Sequence, residues 1–158
     1  MKHSMKVGFS FGFTSAIITT TGLIVGLYFT TSSELAVIGG ILTIAVADSL
    51  SDALGIHISE ESEHLHTATE IWISTISTFV AKLLFSLTFL IPILLFTLPI
   101  AVLVDVCWGL FLLAIFSWFL AKAQKSNPWG VVGEHLAVAV VVIILTYLLG
   151  QWIGNRFG

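Results

Sequence analysis

Residues 36–70, AVIGGILTIAVADSLSDALGIHISEESEHLHTATE, hold the pattern around which the rest of the chain is arranged. The first two-thirds of this stretch is apolar enough to sit in a bilayer, yet it carries Asp48 and Asp52 four residues apart. Four residues on an α-helix turn the side chain through about 40°, so both carboxylates project from one side. A carboxylate at that depth is expensive unless it is paired or lines a polar cavity, and by default it marks an ion path or a buried partner. Beyond Ile58 helical spacing persists: His57 and Glu61, Glu60 and His64, and His66 and Glu70 stand four apart, and Glu63 and His66 three apart. The second helix is therefore expected to continue past the membrane.

The surrounding composition fixes the solvent. Of 158 residues, 57% are hydrophobic and only 9% charged, and the mean hydropathy of +1.06 lies far above that of ordinary soluble domains. A formal charge of −3 gives no basic field for nucleic acid, which is excluded as a partner. The single cysteine, Cys107, cannot form an internal disulfide and is expected as a buried packing residue. The first apolar run, 7–29, is too long for the apolar core of a secretory signal. TTSSE after it has no small-x-small cleavage pattern, so a retained first helix is expected.

Apolar runs at about 7–29, 35–58, 71–96, 100–121 and 131–153 are each long enough to cross a bilayer. The fold class expected is all-α, an integral membrane bundle of five transmembrane helices. One transmembrane domain spans 1–158, with 59–70 as a short acidic cytoplasmic extension. A cytoplasmic N-terminus puts Lys2, Lys6, Lys122 and Lys125 inside and only Arg156 outside, in keeping with the positive-inside rule. Trp72, Trp118, Trp129 and Trp152 fall near helix ends, where indoles anchor at the interface.

Helix packing is written in small residues. The first helix carries Gly8, Gly12, Ser15, Thr19, Gly22 and Gly26; the second carries Ala36, Gly40, Thr43, Ala47, Ser51, Gly55 and Ser59. Such seams let backbones approach closely, so these two helices are expected to pack on each other, on their copies in a homodimer, or both. Counted from the cytoplasmic side, Lys82 on the third helix and Asp48 on the second both lie about 15 Å deep, which predicts an ion pair between Lys82 and Asp48 or Asp52. Ser51 and Lys82 join the two aspartates in the expected path lining. His57, Glu60, Glu61 and His64 share the helix face expected to gather a divalent metal ion, and Glu63 and His66 form a second set. Asp105, Glu134 and His135 read as local hydrogen-bonding residues. No HExxH, GxSxG or phosphate-cradling glycine loop occurs, so an enzyme is not expected and no tightly bound cofactor is called for.

GFSFGFTSAIITTTGLIVGL (8–27), ADSLSDALGIHISEESE (47–63) and GEHLAVAVVVIILTYLLGQWIG (133–154) together resemble the vacuolar iron transporter (VIT) family. The resemblance lies in helix order, spacing and character along most of the chain. It implies a homodimer of five-helix subunits; a prokaryotic cell membrane is the location expected. It further implies a cation path between the first two helices, and Fe²⁺ or Mn²⁺ moved out of the cytosol in exchange for protons.

The chain departs from that family in two places. The family's first helix usually reads G-x-S-D-G-L, with the aspartate in the path, whereas Gly8-Phe9-Ser10-Phe11-Gly12-Phe13 puts Phe11 at that position. Where the family's second helix usually has a methionine, this chain has Asp52 nearby, which implies either a charge moved to the neighbouring helix or a cation harder than iron. The Glu-rich metal-binding domain of many relatives is here reduced to residues 59–70. Oxygen and imidazole ligands suit Fe²⁺ and Mn²⁺, and without placed Cys or Met ligands Cu⁺ is disfavoured. The alternative is a non-transporting membrane sensor of metal or pH, in which the histidines change charge near neutrality.

Overall fold

Six helices follow from the apolar runs and the residues that punctuate them. The computed structural model describes residues 2–158. The helices are α1 (Lys2–Thr31), α2 (Glu34–Glu63), α3 (Ala68–Thr88), α4 (Leu90–Leu95), α5 (Leu98–Ala123) and α6 (Pro128–Phe157). The side chain of Lys2, used in the charge count above, lies outside the described residues.

Local chemistry sets the ends. α3 opens on a capping box in which the Thr67 hydroxyl accepts from the Glu70 N–H and the Glu70 carboxylate accepts from the Thr67 N–H. α6 opens on Asn127, whose side chain accepts from the Trp129 N–H, with Pro128 in the first turn. Pro92 supplies no N–H and crowds the carbonyl four residues back, which accounts for the break at Phe89 between α3 and α4. α2 runs past Ile58 to Glu63, as its spacing predicted. It stops because His64 adopts a left-handed conformation, φ 54°. His64 therefore leaves the helix face it was expected to share with Glu60.

Among the described residues no strand occurs, and five helices are long and apolar enough to cross a membrane, with α3 and α4 joined as one span, Ala68–Leu95. The surface is apolar: α2 alone exposes Leu42, Val46, Leu50, Leu54 and Ile58, while Lys82, Thr78, Ser86, Asp105 and Ser117 are buried. Water would penalise that arrangement and hydrocarbon favours it. The chain is a multi-pass helical membrane protein. Cys107, expected inside, is exposed on α5; an apolar thiol meets no penalty facing lipid.

The chain forms two compact units, one of residues up to Ala16 with Ile41–Leu90, the other of Ile17–Gly40 with Ile91–Gly158. In the first, the start of α1 lies on α3. A Cβ at Gly8 would run into the Ser74 carbonyl and one at Gly12 into the Thr78 carbonyl. Phe13 meets Phe85 edge-on, with ring centres 4.4 Å apart, beside this contact. In the second unit α5 packs along α6, and α6 also receives the rest of α1. Gly22 faces Val142 and Thr146, and a Cβ at Gly150 would stand 2.7 Å from the Gly26 carbonyl oxygen.

The glycine seam of α1 is thus filled by α3 and α6 and not by the seam of α2, while packing of α1 on α2, one of the arrangements expected, is made through side chains, with Ser15 bonded to Asp52. The two helices do touch, but Gly40 of α2 meets the Leu23 and Leu27 side chains, not a glycine. A Cβ added at Gly39 or Gly55 of α2 would meet nothing from another helix or side chain within 4 Å.

Candidate functional site: a lysine between two membrane aspartates

Close approach of α1 to α3 in the first unit creates the site. Glycine at positions 8 and 12 lets the Thr78 hydroxyl reach the Gly8 carbonyl (3.1 Å) as well as the Ser74 carbonyl in its own helix (2.9 Å). On α3 the buried polar residues Ser74, Thr78, Lys82 and Ser86 recur every four residues, one continuous stripe down a membrane helix. In hydrocarbon such a stripe persists only when other polar groups face it.

Those groups come from α2 and α1. The Lys82 ammonium is fully buried. It forms ion pairs with Asp48 Oδ2 and with Asp52 Oδ2, the latter at 2.5 Å, and donates to Ser15 Oγ at 2.9 Å. Ser15 in turn donates to Asp52 Oδ2 at 2.6 Å. The contacts to Asp52 and Ser15 are hydrogen bonds, while Asp48 Oδ2 stands in ion-pair contact without hydrogen-bond geometry. The carboxylates are less covered than the lysine, with 32% of the Asp48 side chain and 20% of the Asp52 side chain exposed. Two carboxylates and one ammonium leave a formal charge of −1 when all are ionised, so Lys82 does not cancel the pair.

Closer to the α2–α3 link, a second polar layer joins the same helices. Glu60 is buried and accepts from Ser74 Oγ at 2.5 Å. Thr75 Oγ1 gives its proton to the Ile71 carbonyl (2.7 Å) and so accepts from His57 Nδ1 (3.0 Å), which puts the imidazole proton on Nδ1. Trp72 flanks the imidazole edge-on, at 4.8 Å between ring centres.

The lysine pairing expected from depth is present with both aspartates. The expected metal face is not assembled: His57 and Glu60 turn toward α3, and Glu61, Glu63 and His64 are exposed. His66 pairs with Glu63 at 3.7 Å. Among the described residues no three His, Cys, Asp or Glu side chains gather closely enough to hold a metal ion. Ser51 lies on the exposed side of α2, about 100° round the helix from Asp52, and does not line the cluster. Phe11 is 44% exposed and points out of the unit, so the residue that brings α1 into the cluster is Ser15, one turn further on. Ser15 was legible only as one small residue in a seam. A hydroxyl facing a membrane carboxylate was the signal.

Of the residues taken as local hydrogen-bonders, His135 behaves so, its Nδ1 lying 2.7 Å from Ser117 Oγ, and Glu134 is exposed. Asp105 does not: it is fully buried in the second unit, and neither carboxylate oxygen has a partner among the described residues. Replacing an unpartnered buried polar group with an apolar one of similar size removes a desolvation penalty of about 1–3 kcal/mol. The Asp105→Val protein is therefore expected to melt above the native protein in detergent. A lower melting temperature would mean that Asp105 has a partner.

No protein-family model matches the sequence, and neither a curated protein nor a solved structure matches it significantly. Fold and site together define the class: a multi-pass helical membrane protein with a lysine-bridged pair of aspartates on one membrane helix.

Proposed function

We propose that the protein carries a divalent transition-metal ion, Fe²⁺ or Mn²⁺, out of the cytosol in exchange for protons, through a path in which Asp48 and Asp52 take the ion. One observation supports this above others: two carboxylates on a membrane-crossing helix converge on a single ammonium, a set of formal charge −1 when all three are ionised, and both aspartate side chains are partly exposed. Their oxygens, with the Ser15 hydroxyl, make a hard ligand set suited to Mn²⁺ or Fe²⁺ and poor for Cu⁺. Direction and proton coupling rest on the resemblance to the vacuolar iron transporter family. No catalytic chemistry is assigned.

The proposed orientation has the N-terminus in the cytoplasm. Cysteine introduced at Ser62 is expected to react with impermeant reagent only from the cytoplasmic side. Reaction from the outside alone would invert the topology. The proposed assembly is a homodimer, and its contact is proposed on the exposed side of α2 around Gly55, because the α1 glycines are occupied within the chain.

A sensor is the second reading, favoured by the exposed Glu61, Glu63 and His64 and by the His66–Glu63 pair. Proteoliposomes separate the two. A transporter accumulates Mn²⁺ or Fe²⁺ against a proton gradient, whereas a sensor binds the ion and moves none.

A further inference from the structure

We infer that Lys82 is the resident cation of the aspartate pair: its ammonium fills the position that the transported ion must take, so binding is an exchange of one cation for another. This rests on the reading of Asp48 and Asp52 as substrate carboxylates.

The geometry carries it in three steps. First, Oδ2 of Asp48 and Oδ2 of Asp52 both contact the same nitrogen, so the point at which one cation can touch both is already taken. A divalent ion bound to the same oxygens would stand beside the ammonium, and like charges at such separations repel strongly in a low-dielectric interior. Second, accessibility is one-sided: the Asp48 and Asp52 side chains are partly exposed while the lysine is fully covered, although Asp48 Oδ2 itself is buried. An incoming ion therefore meets the aspartates before the lysine, and the ammonium withdraws on its flexible four-carbon stem. Third, when the ion leaves, the lysine returns. The empty carrier then never holds two uncompensated carboxylates inside the membrane, a state that would trap it. Ser15, which accepts from Nζ and donates to Asp52, holds the ammonium at the shared point.

Lys82→Gln tests this, since the amide keeps a donor toward the carboxylates but removes the charge. Mn²⁺ affinity of the purified full chain is expected to rise by about tenfold or more, because the competitor is gone and the site charge goes from −1 to −2. In liposomes the variant is expected to exchange external radioactive Mn²⁺ for internal Mn²⁺, while net flux falls by a similar factor. Affinity equal to or below that of a native protein that binds Mn²⁺ would overturn the resident-cation role and leave the transport reading standing. Failure of both proteins to bind would overturn both. Binding by the variant alone would support the role, the lysine then outcompeting the ion.

A second measurement needs no substitution. Amine-reactive labelling of Lys82 in the native protein, read by mass spectrometry, is expected to rise severalfold at saturating Mn²⁺. Labelling unchanged with the ion bound would overturn the exchange, and it stands as the deciding test if Lys82→Gln does not fold.

Discussion

Asp52→Ala is expected to lose Mn²⁺ flux in proteoliposomes while keeping its fold. Asp52 is the busiest acceptor in the cluster, taking hydrogen bonds from Lys82 and Ser15 on the same oxygen. Removing it takes the site from a formal charge of −1 to zero, so nothing remains to draw a divalent ion from water. Truncating one member of a buried, hydrogen-bonded charge set costs about 2–5 kcal/mol of binding, which at about 1.4 kcal/mol per decade is roughly thirtyfold or more in affinity. Stability falls less, because Lys82 keeps Asp48 as its counter-ion. The loss should lie in the range of a charge-assisted hydrogen bond, about 1.5–3 kcal/mol. Asp48→Ala should resemble it in flux but unfold less readily, since Ser15 and Lys82 would keep Asp52. Flux within a factor of two of native in both variants would remove the aspartates from the path.

That cluster was partly legible in the sequence, for a reason that also explains what was missed. Depth along a helix is arithmetic, about 1.5 Å per residue, and it brought Asp48 and Lys82 to one level before any packing was known. Periodicity assigns residues to a face but does not say which helix that face meets. The α1 glycines therefore announced a close approach without naming α3 and α6 as its partners. The same gap hid Ser15, and it grouped Ser51 with Asp48 and Asp52 although Ser51 lies on the exposed side of α2. The acidic run after Ile58 misled differently. Its spacing is helical, but Glu60 and His57 bond to hydroxyls of α3 and His64 falls beyond the helix end, so six candidate ligands disperse. Phe11 shows the converse: set against a family pattern it looked like a lost ligand, yet its position faces outward and Ser15 makes the contact.

Gly12→Leu is expected to abolish the folded protein, whereas Gly55→Leu leaves the subunit intact. At Gly12 an added Cβ would meet the Thr78 carbonyl oxygen and stand 3.0 Å from its Cα, and these are backbone atoms that no rotamer change can move aside. Overpacking a well-filled contact costs about 1–3 kcal/mol even where side chains can give way, and a leucine here must lift α1 off α3 entirely. The Thr78 to Gly8 hydrogen bond would go, and Ser15, less than one turn beyond, would be drawn from Lys82 and Asp52. A Cβ at Gly55 would meet nothing within 4 Å and Gly55 lies on the exposed side of α2, so the same change there meets no wall within the chain. If that side of α2 is the contact between two copies, Gly55→Leu should shift the protein from dimer to monomer by light scattering in detergent, with its melting temperature little changed. A Gly12→Leu protein that expresses and melts like the native one would show that α1 does not lie on α3.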